Sequence, residues 1–161
     1  MMAGSTSDPT GRDYLQKRSR LAKRLGEVAS FRRIQIVDDD QFDADVLASN
    51  LRKILGRDIE IDIARNMNAL HKKWLTTRPD LVFLDDRLGH SGSSTMIMPA
   101  IRKIGYDGPI VVVSGMMTRE RRNLIMQVGA FETLHKDDYD SLSLIEILLR
   151  ILKAFPEDNL G

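Results

Sequence analysis

The chain has 161 residues, 42% hydrophobic and 29% charged, with a formal net charge of +1, enough for one ordinary domain with a packed core and a short extension. The absence of cysteine excludes disulfides, thiolate metal sites and cysteine nucleophiles, and His71, His90 and His135 are too scattered to form a zinc set. No apolar run has the length of a bilayer span and the N-terminus, "MMAGSTSDPTGRD", lacks the apolar block of a secretory signal, so a cytoplasmic protein without membrane contact is expected.

Residues 1–11, rich in Gly, Ser, Thr and Pro, read as a disordered leader. The stretch "RDYLQKRSRLAKRLGEVAS" follows, with Tyr14, Leu21, Leu25 and Val28 at helical spacing, so residues 12–31 form a helical extension. Charge divides at its end. Residues 1–33 hold eight Lys and Arg against three Asp and Glu, leaving sixteen against twenty for the remainder. Apart from Tyr14 no aromatic is interleaved for base stacking, so the basic segment is expected to be a solvated helix, and nucleic acid is not the expected partner.

From residue 32 to 155 apolar segments rich in Ile and Val alternate with helical patterns. Strands are expected at "RIQIV" (33–37), "IEIDIA" (59–64), "DLVFLD" (80–85), "PIVVVS" (109–114) and "FETLH" (131–135). The first, third and fourth are the most continuously apolar and should be central. Between them lie the helical patterns "FDADVLASNLRKILG", "NMNALHKKWLTT", "SSTMIMPAIRKIG" and "TRERRNLIMQVGA", with "DSLSLIEILLRILKAF" last and a tail at 156–161. Gly56, Gly105 and Gly129 stand where helices should stop. Strand and helix in alternation predict an α/β fold: a five-stranded parallel sheet with helices on both faces.

Ligands of such sheets bind outside the carboxyl ends of the strands. Those ends carry Asp38, Asp39 and Asp40 after strand 1, Asp85 and Asp86 after strand 3, Ser114 after strand 4 and Lys136 after strand 5. Clustered carboxylates require a cation, and hard oxygen ligands that leave room for water suit Mg²⁺. A carboxylate beside such a metal can attack a phosphoryl group while metal, lysine and hydroxyl hold its oxygens.

The segments "IQIVDDDQ", "RPDLVFLDDRLG", "PIVVVSG" and "GAFETLHKDD" resemble the four blocks of the response-regulator receiver domain of two-component signalling. The resemblance covers residues 32–154. It implies a flavodoxin-like sheet of strand order 2-1-3-4-5, Asp85 as phosphoacceptor, Ser114 as the switch hydroxyl and Lys136 as the phosphate-binding lysine. It also implies Mg²⁺ held by Asp39, Asp85 and the backbone carbonyl of Arg87, with Asp38 supporting it through water. The donor would be a sensor histidine kinase or a histidine phosphotransfer protein. A downstream protein would read the surface of the helix after strand 4, strand 5 and the last helix. Such a chain is a phosphoacceptor with self-catalysed phosphotransfer and autodephosphorylation rather than a dedicated enzyme.

Three departures from the family pattern stand out. Gly89 replaces the usual proline four residues after the phosphoacceptor and Asp137 the usual proline after the lysine, so both loops are expected to be looser. A cis bond at the second is put in doubt. Thr133 replaces the aromatic switch residue. Asp40 and Asp86 are expected to be solvated loop residues, Asp40 alternatively a helix cap, and His90 solvent-facing. Two other readings compete: a haloacid dehalogenase-like phosphatase with Asp38 as nucleophile and Asp40 as its proton donor, and an inactive receiver serving as a binding module, although no key residue is missing.

The last helix is apolar almost all round, interrupted by Ser143, Glu146, Arg150 and Lys153. Ile145, Leu148, Leu149 and Leu152 are expected to pack on the sheet, leaving Leu144, Ile147 and Ile151 exposed. The helix at 12–29 offers a matching stripe, so a homodimer across the last helix is expected, with folding back onto the same chain as the alternative.

Overall fold

The computed structural model describes residues 11–28, 31–74, 76–139 and 142–156. The leader save its last residue, the tail save Pro156, and the side chains of Leu25 and Val28 lie outside the described residues.

Five strands, β1 (Arg33–Val37), β2 (Glu60–Ala64), β3 (Leu81–Asp85), β4 (Ile110–Ser114) and β5 (Glu132–His135), form one parallel sheet in the order β2-β1-β3-β4-β5. Every neighbouring pair is parallel, with Val37 opposite Ala64 and Leu84, Asp85 opposite Val113, and Ser114 opposite His135. The chain turns one way from β1 to β2 and the other way to β3, which opens a crevice at their carboxyl ends. Each strand lies within a residue or two of its expected position. β3 and β4 are buried at every residue, as central strands covered on both faces must be.

The strand alternation divides the core into two layers. Ile34, Ile36, Leu81, Phe83, Val111 and Val113 face α2 (Gln41–Leu55) and α6 (Leu142–Ala154). Val37, Val82, Leu84, Ile110 and Val112 face α3 (Met67–Trp74), α4 (Ser94–Lys103) and α5 (Arg119–Val128). Gly56 and Gly129 close α2 and α5 with positive φ, 99° and 121°, as their expected role requires.

The extension forms α1 (Arg12–Val28), which packs against α6 of the same chain and more lightly against α2. Tyr14 Oη accepts a 2.9 Å hydrogen bond from the Leu142 N–H, and Lys17 lies 3.9 Å from Glu146. Leu21 joins the margin of the first core layer. The alternative in which α1 folds back is therefore the arrangement found. The division of α6 also differs from expectation: Leu144, Ile147 and Ile151 are buried, together with Ile145 and Leu148, whereas Leu149 and Leu152 are only half-buried. With apolar residues nearly all round, hydropathy alone does not fix which stripe meets the sheet.

Both loops expected to be loose are tied. After β3, a 3₁₀ turn at Gly89–Ser91 is bracketed by the Leu88 N–H to Gly92 O bond and the Ser94 N–H to Asp86 O bond, with Leu88 buried. After β5 a second 3₁₀ turn, Lys136–Asp138, is capped by His135 Nδ1 accepting from the Asp137 N–H. No cis peptide bond occurs among the described residues.

Candidate functional site

The pocket lies at the carboxyl ends of β1, β3, β4 and β5. β1 delivers Asp38, whose side chain is almost fully buried, with Oδ1 accepting from the Asp40 N–H at 2.9 Å. Asp39 is exposed, and its carboxylate lies within 4.8 Å of oxygens of both Asp38 and Asp85. Asp40 turns away to cap α2, accepting from the Asp43 N–H at 3.0 Å. The Asp38–Asp40 pair thus diverges in role: one carboxylate faces the pocket and the other serves the helix.

β3 delivers Asp85, 8% exposed. Burial, then the charge of Asp38 and a hydrogen bond with it, push its pKa up to about 7, against the opposing pull of Lys136 and the Arg87 N–H. From β5, Lys136 Nζ reaches Asp43 Oδ2 at 2.8 Å, Asp38 Oδ2 at 3.1 Å and Asp85 Oδ1 at 3.5 Å. Burial disfavours its charge, but hydrogen bonds to Asp43 and Asp38 and the charges of Asp38 and Asp85 outweigh that and hold the lysine pKa above its ordinary value. Ser114, ending β4, donates from Oγ to Met116 O at 2.6 Å and accepts from the Met116 N–H at 3.0 Å, a local turn in this state.

Asp38, Asp39 and Asp85 offer three hard oxygen ligands on one side of an open rim, a donor set that fits Mg²⁺ with water completing its shell. Gly89 stands beside them with φ +52°, which proline cannot adopt, and a side chain there would come within 3.3 Å of Asp39 Oδ2. The backbone at Gly89 is thus one that the family's usual proline could not adopt.

Asp86 is not the solvated residue expected. It is 3% exposed, accepts from Ser94 Oγ at 2.6 Å, and pairs bidentately with Arg121 of α5 through Nε at 3.0 Å and the second nitrogen at 2.7 Å. Burial opposes its charge, but the Arg121 and Ser94 hydrogen bonds prevail and hold its carboxyl below the usual range. Sequence reasoning also missed Asp43, since it lies a helical turn beyond the strand end and reads there as an ordinary first-turn acid. Tyr139, just past Lys136, was missed too. It is 3% exposed, its hydroxyl has no hydrogen-bond partner among the described residues, and burial with the charges of Asp38, Asp85 and Asp43 raises its pKa. His90 is exposed, as expected.

A doubly wound parallel α/β domain with three clustered carboxylates and a lysine at the carboxyl rim of its sheet is the class of protein these features define. The response regulator receiver domain model matches residues 34–148, and the chain belongs to that family. Among solved structures it is similar to the N-terminal domain of a response regulator/sensory box/GGDEF 3-domain protein from Carboxydothermus hydrogenoformans, at 26% identity over 81% of this chain and 100% of that one, TM-score 0.66. It is also similar in fold to a two-component response regulator from Clostridium difficile (23% identity, 80% and 98% covered, TM-score 0.64) and to a response regulator from Thermotoga maritima (19%, 77% and 99%, 0.64). No curated protein matches the chain. Among the described residues no helix is long and apolar enough to cross a membrane.

Proposed function

We propose that this receiver takes a phosphoryl group onto Asp85 from a phosphohistidine of a sensor histidine kinase or histidine phosphotransfer protein, in the cytoplasm. The observation that carries the reading is the convergence of Lys136 on Asp85 and Asp38, beside a carboxylate set fit for Mg²⁺. An Asp85 oxygen forms a bond to phosphorus as the phosphorus–nitrogen bond breaks, and the proton required by the departing imidazole comes from solvent or donor. Bound Mg²⁺ supplies charge neutralisation on the phosphoryl oxygens. Asp38, Asp39, Asp85 and the Arg87 carbonyl are the groups proposed to hold it. Lys136 donates to the phosphoryl group, and Ser114 does so after giving up its bond to Met116.

The surface read by a partner is proposed to be α5, β5 and α6, where Glu132 of β5 receives Arg122 of α5 at 2.7 Å and Arg150 of α6 at 3.0 Å. A charge added at Asp85 biases that surface between two arrangements. A homodimer belongs to this reading in changed form: Tyr14 and Leu21 already engage their own chain, so a dimer through 12–29 would require exchange of α1 between protomers.

Incubation with Mg²⁺ and acetyl phosphate or phosphoramidate is expected to add one phosphoryl group by intact mass, and Asp85→Asn to abolish it. Equal labelling of that variant would overturn the assignment; a phosphatase acting through Asp38 would instead lose its label in Asp38→Asn alone.

A further inference from the structure

The Lys136 ammonium stands among three carboxylates, and its shortest contact is to neither of those that the motif supplies. Nζ lies 2.8 Å from Asp43, 3.1 Å from Asp38 and 3.5 Å from Asp85. The acceptors differ in what they would lose if the lysine moved. The Asp38 side chain is 1% exposed, so if the lysine leaves, its charge must be met by a cation at the same carboxylate cluster. The Asp43 side chain is 31% exposed on the first turn of α2, so water can replace the ammonium there. Of the two short contacts, the one to Asp43 is the one that can be surrendered to water alone.

We propose that Asp43 is a positioning residue that competes with the phosphoryl group for Lys136 and so sets how strongly the phosphorylated state is favoured. The proposal rests on the reading of Asp85 as phosphoacceptor. Bringing Nζ from 3.5 Å to hydrogen-bond distance of a group on Asp85 draws it off the Asp43 contact, which is a charge-assisted bond. The Asp43 carboxylate also repels an anion arriving nearby. Both effects have the same sign: with Asp43 present the resting state is favoured, and without it the phosphorylated state gains. α2 holds the competing carboxylate by its first turn, since the Asp43 N–H is fixed to the Asp40 cap.

The test uses beryllofluoride, which sits on a carboxylate as a phosphoryl mimic, with full-length protein at saturating Mg²⁺ and ¹⁹F NMR to count bound fluoride. Binding to wild type and its loss in Asp85→Asn come first; failure at that stage overturns the assignment of Asp85 and is distinct from failure of this proposal. Given that result, Asp43→Asn and Asp43→Ala are expected to bind beryllofluoride about three- to tenfold more tightly, the scale of one ordinary net hydrogen bond, to which solvent screening at the part-exposed Asp43 reduces the charged contact. Asp43→Glu keeps a competing carboxylate and is expected to stay within about twofold of wild type. A merely structural role would lower thermal stability in all three variants and weaken binding. Unchanged or weaker binding in the Asn and Ala variants, or a gain in the Glu variant as large as theirs, overturns the proposal.

Discussion

At the scale of single residues, the site is governed by where each carboxylate finds its counter-charge. Asp85 is held near a pKa of about 7 chiefly by burial, with the Asp38 charge second. The folded chain therefore keeps a proton that the unfolded chain, at the ordinary carboxylate value, gives up. Stability from this group is fully present below that ordinary value and is lost as pH rises through about 7. A cation that binds the ionised carboxylate reverses the trend. The gain in Tm from saturating Mg²⁺ is expected to be small near pH 6, to grow through about pH 7, and to lose that dependence in Asp85→Asn. A gain that is flat across this range in differential scanning calorimetry would contradict the assignment. Asp86 behaves in the opposite sense. Its lowered pKa gives stability that is present above the ordinary carboxylate value and lost in acid, and it depends on Arg121. Because Asp86 is nearly fully buried, Arg121→Ala leaves an unpaired interior charge and is expected to cost about 3 kcal/mol in urea unfolding, several times the effect of an exposed pair such as Lys17–Glu146. Replacing both partners, as Asp86→Asn with Arg121→Gln, should recover part of that loss.

At the scale of elements, the β3–α4 connection is built on a backbone that proline cannot adopt at position 89. A proline at position 89 would fix φ near −65°, whereas the 3₁₀ turn needs +52° and leaves room for Asp39. Gly89→Ala is expected to destabilise the protein by about 1 kcal/mol from left-handed strain. It should also weaken Mg²⁺ binding, because the new methyl presses on the Asp39 carboxylate. Isothermal titration with Mg²⁺ checks the second effect, and unchanged affinity would mean that Asp39 yields freely. Asp86 of the same connection bonds Ser94 and Arg121, so the residue next to Asp85 is tied to α4 and α5 by side chains.

At the scale of the whole molecule, α1 adds a helix along α6, meeting it through Tyr14 at Leu142 and Lys17 at Glu146. Leu144, Ile147 and Ile151 are buried in the first core layer together with Ile145 and Leu148, while the basic outer face of α1 stays in solvent. Deleting residues 1–31 is expected to lower Tm by several degrees and to promote self-association in light scattering, because Tyr14 no longer bonds α6 and Leu21 no longer covers the margin of the first core layer. If the truncated protein keeps its size and Tm, α1 contributes nothing to the fold.

The strands and their order, and the gathering of Asp38, Asp85, Ser114 and Lys136 at one rim, were legible in the sequence. The strands rest on local periodicity, their gathering on a sheet rule that sends every strand end to the same side, and the order 2-1-3-4-5 on the resemblance to the receiver family. Which stripe of α6 meets the sheet was not legible, because with apolar residues almost all round the helix its hydropathy does not single out the face that the sheet covers. The partners of Asp86 and Asp43 were hidden for a similar reason. Arg121 is 35 residues from Asp86, and Lys136 is 93 from Asp43. An acidic residue after a strand or in a first helical turn looks the same whether it faces water or an ion partner, and only the approach of α5 to the β3 loop and of the turn after β5 to the first turn of α2 decides which it meets.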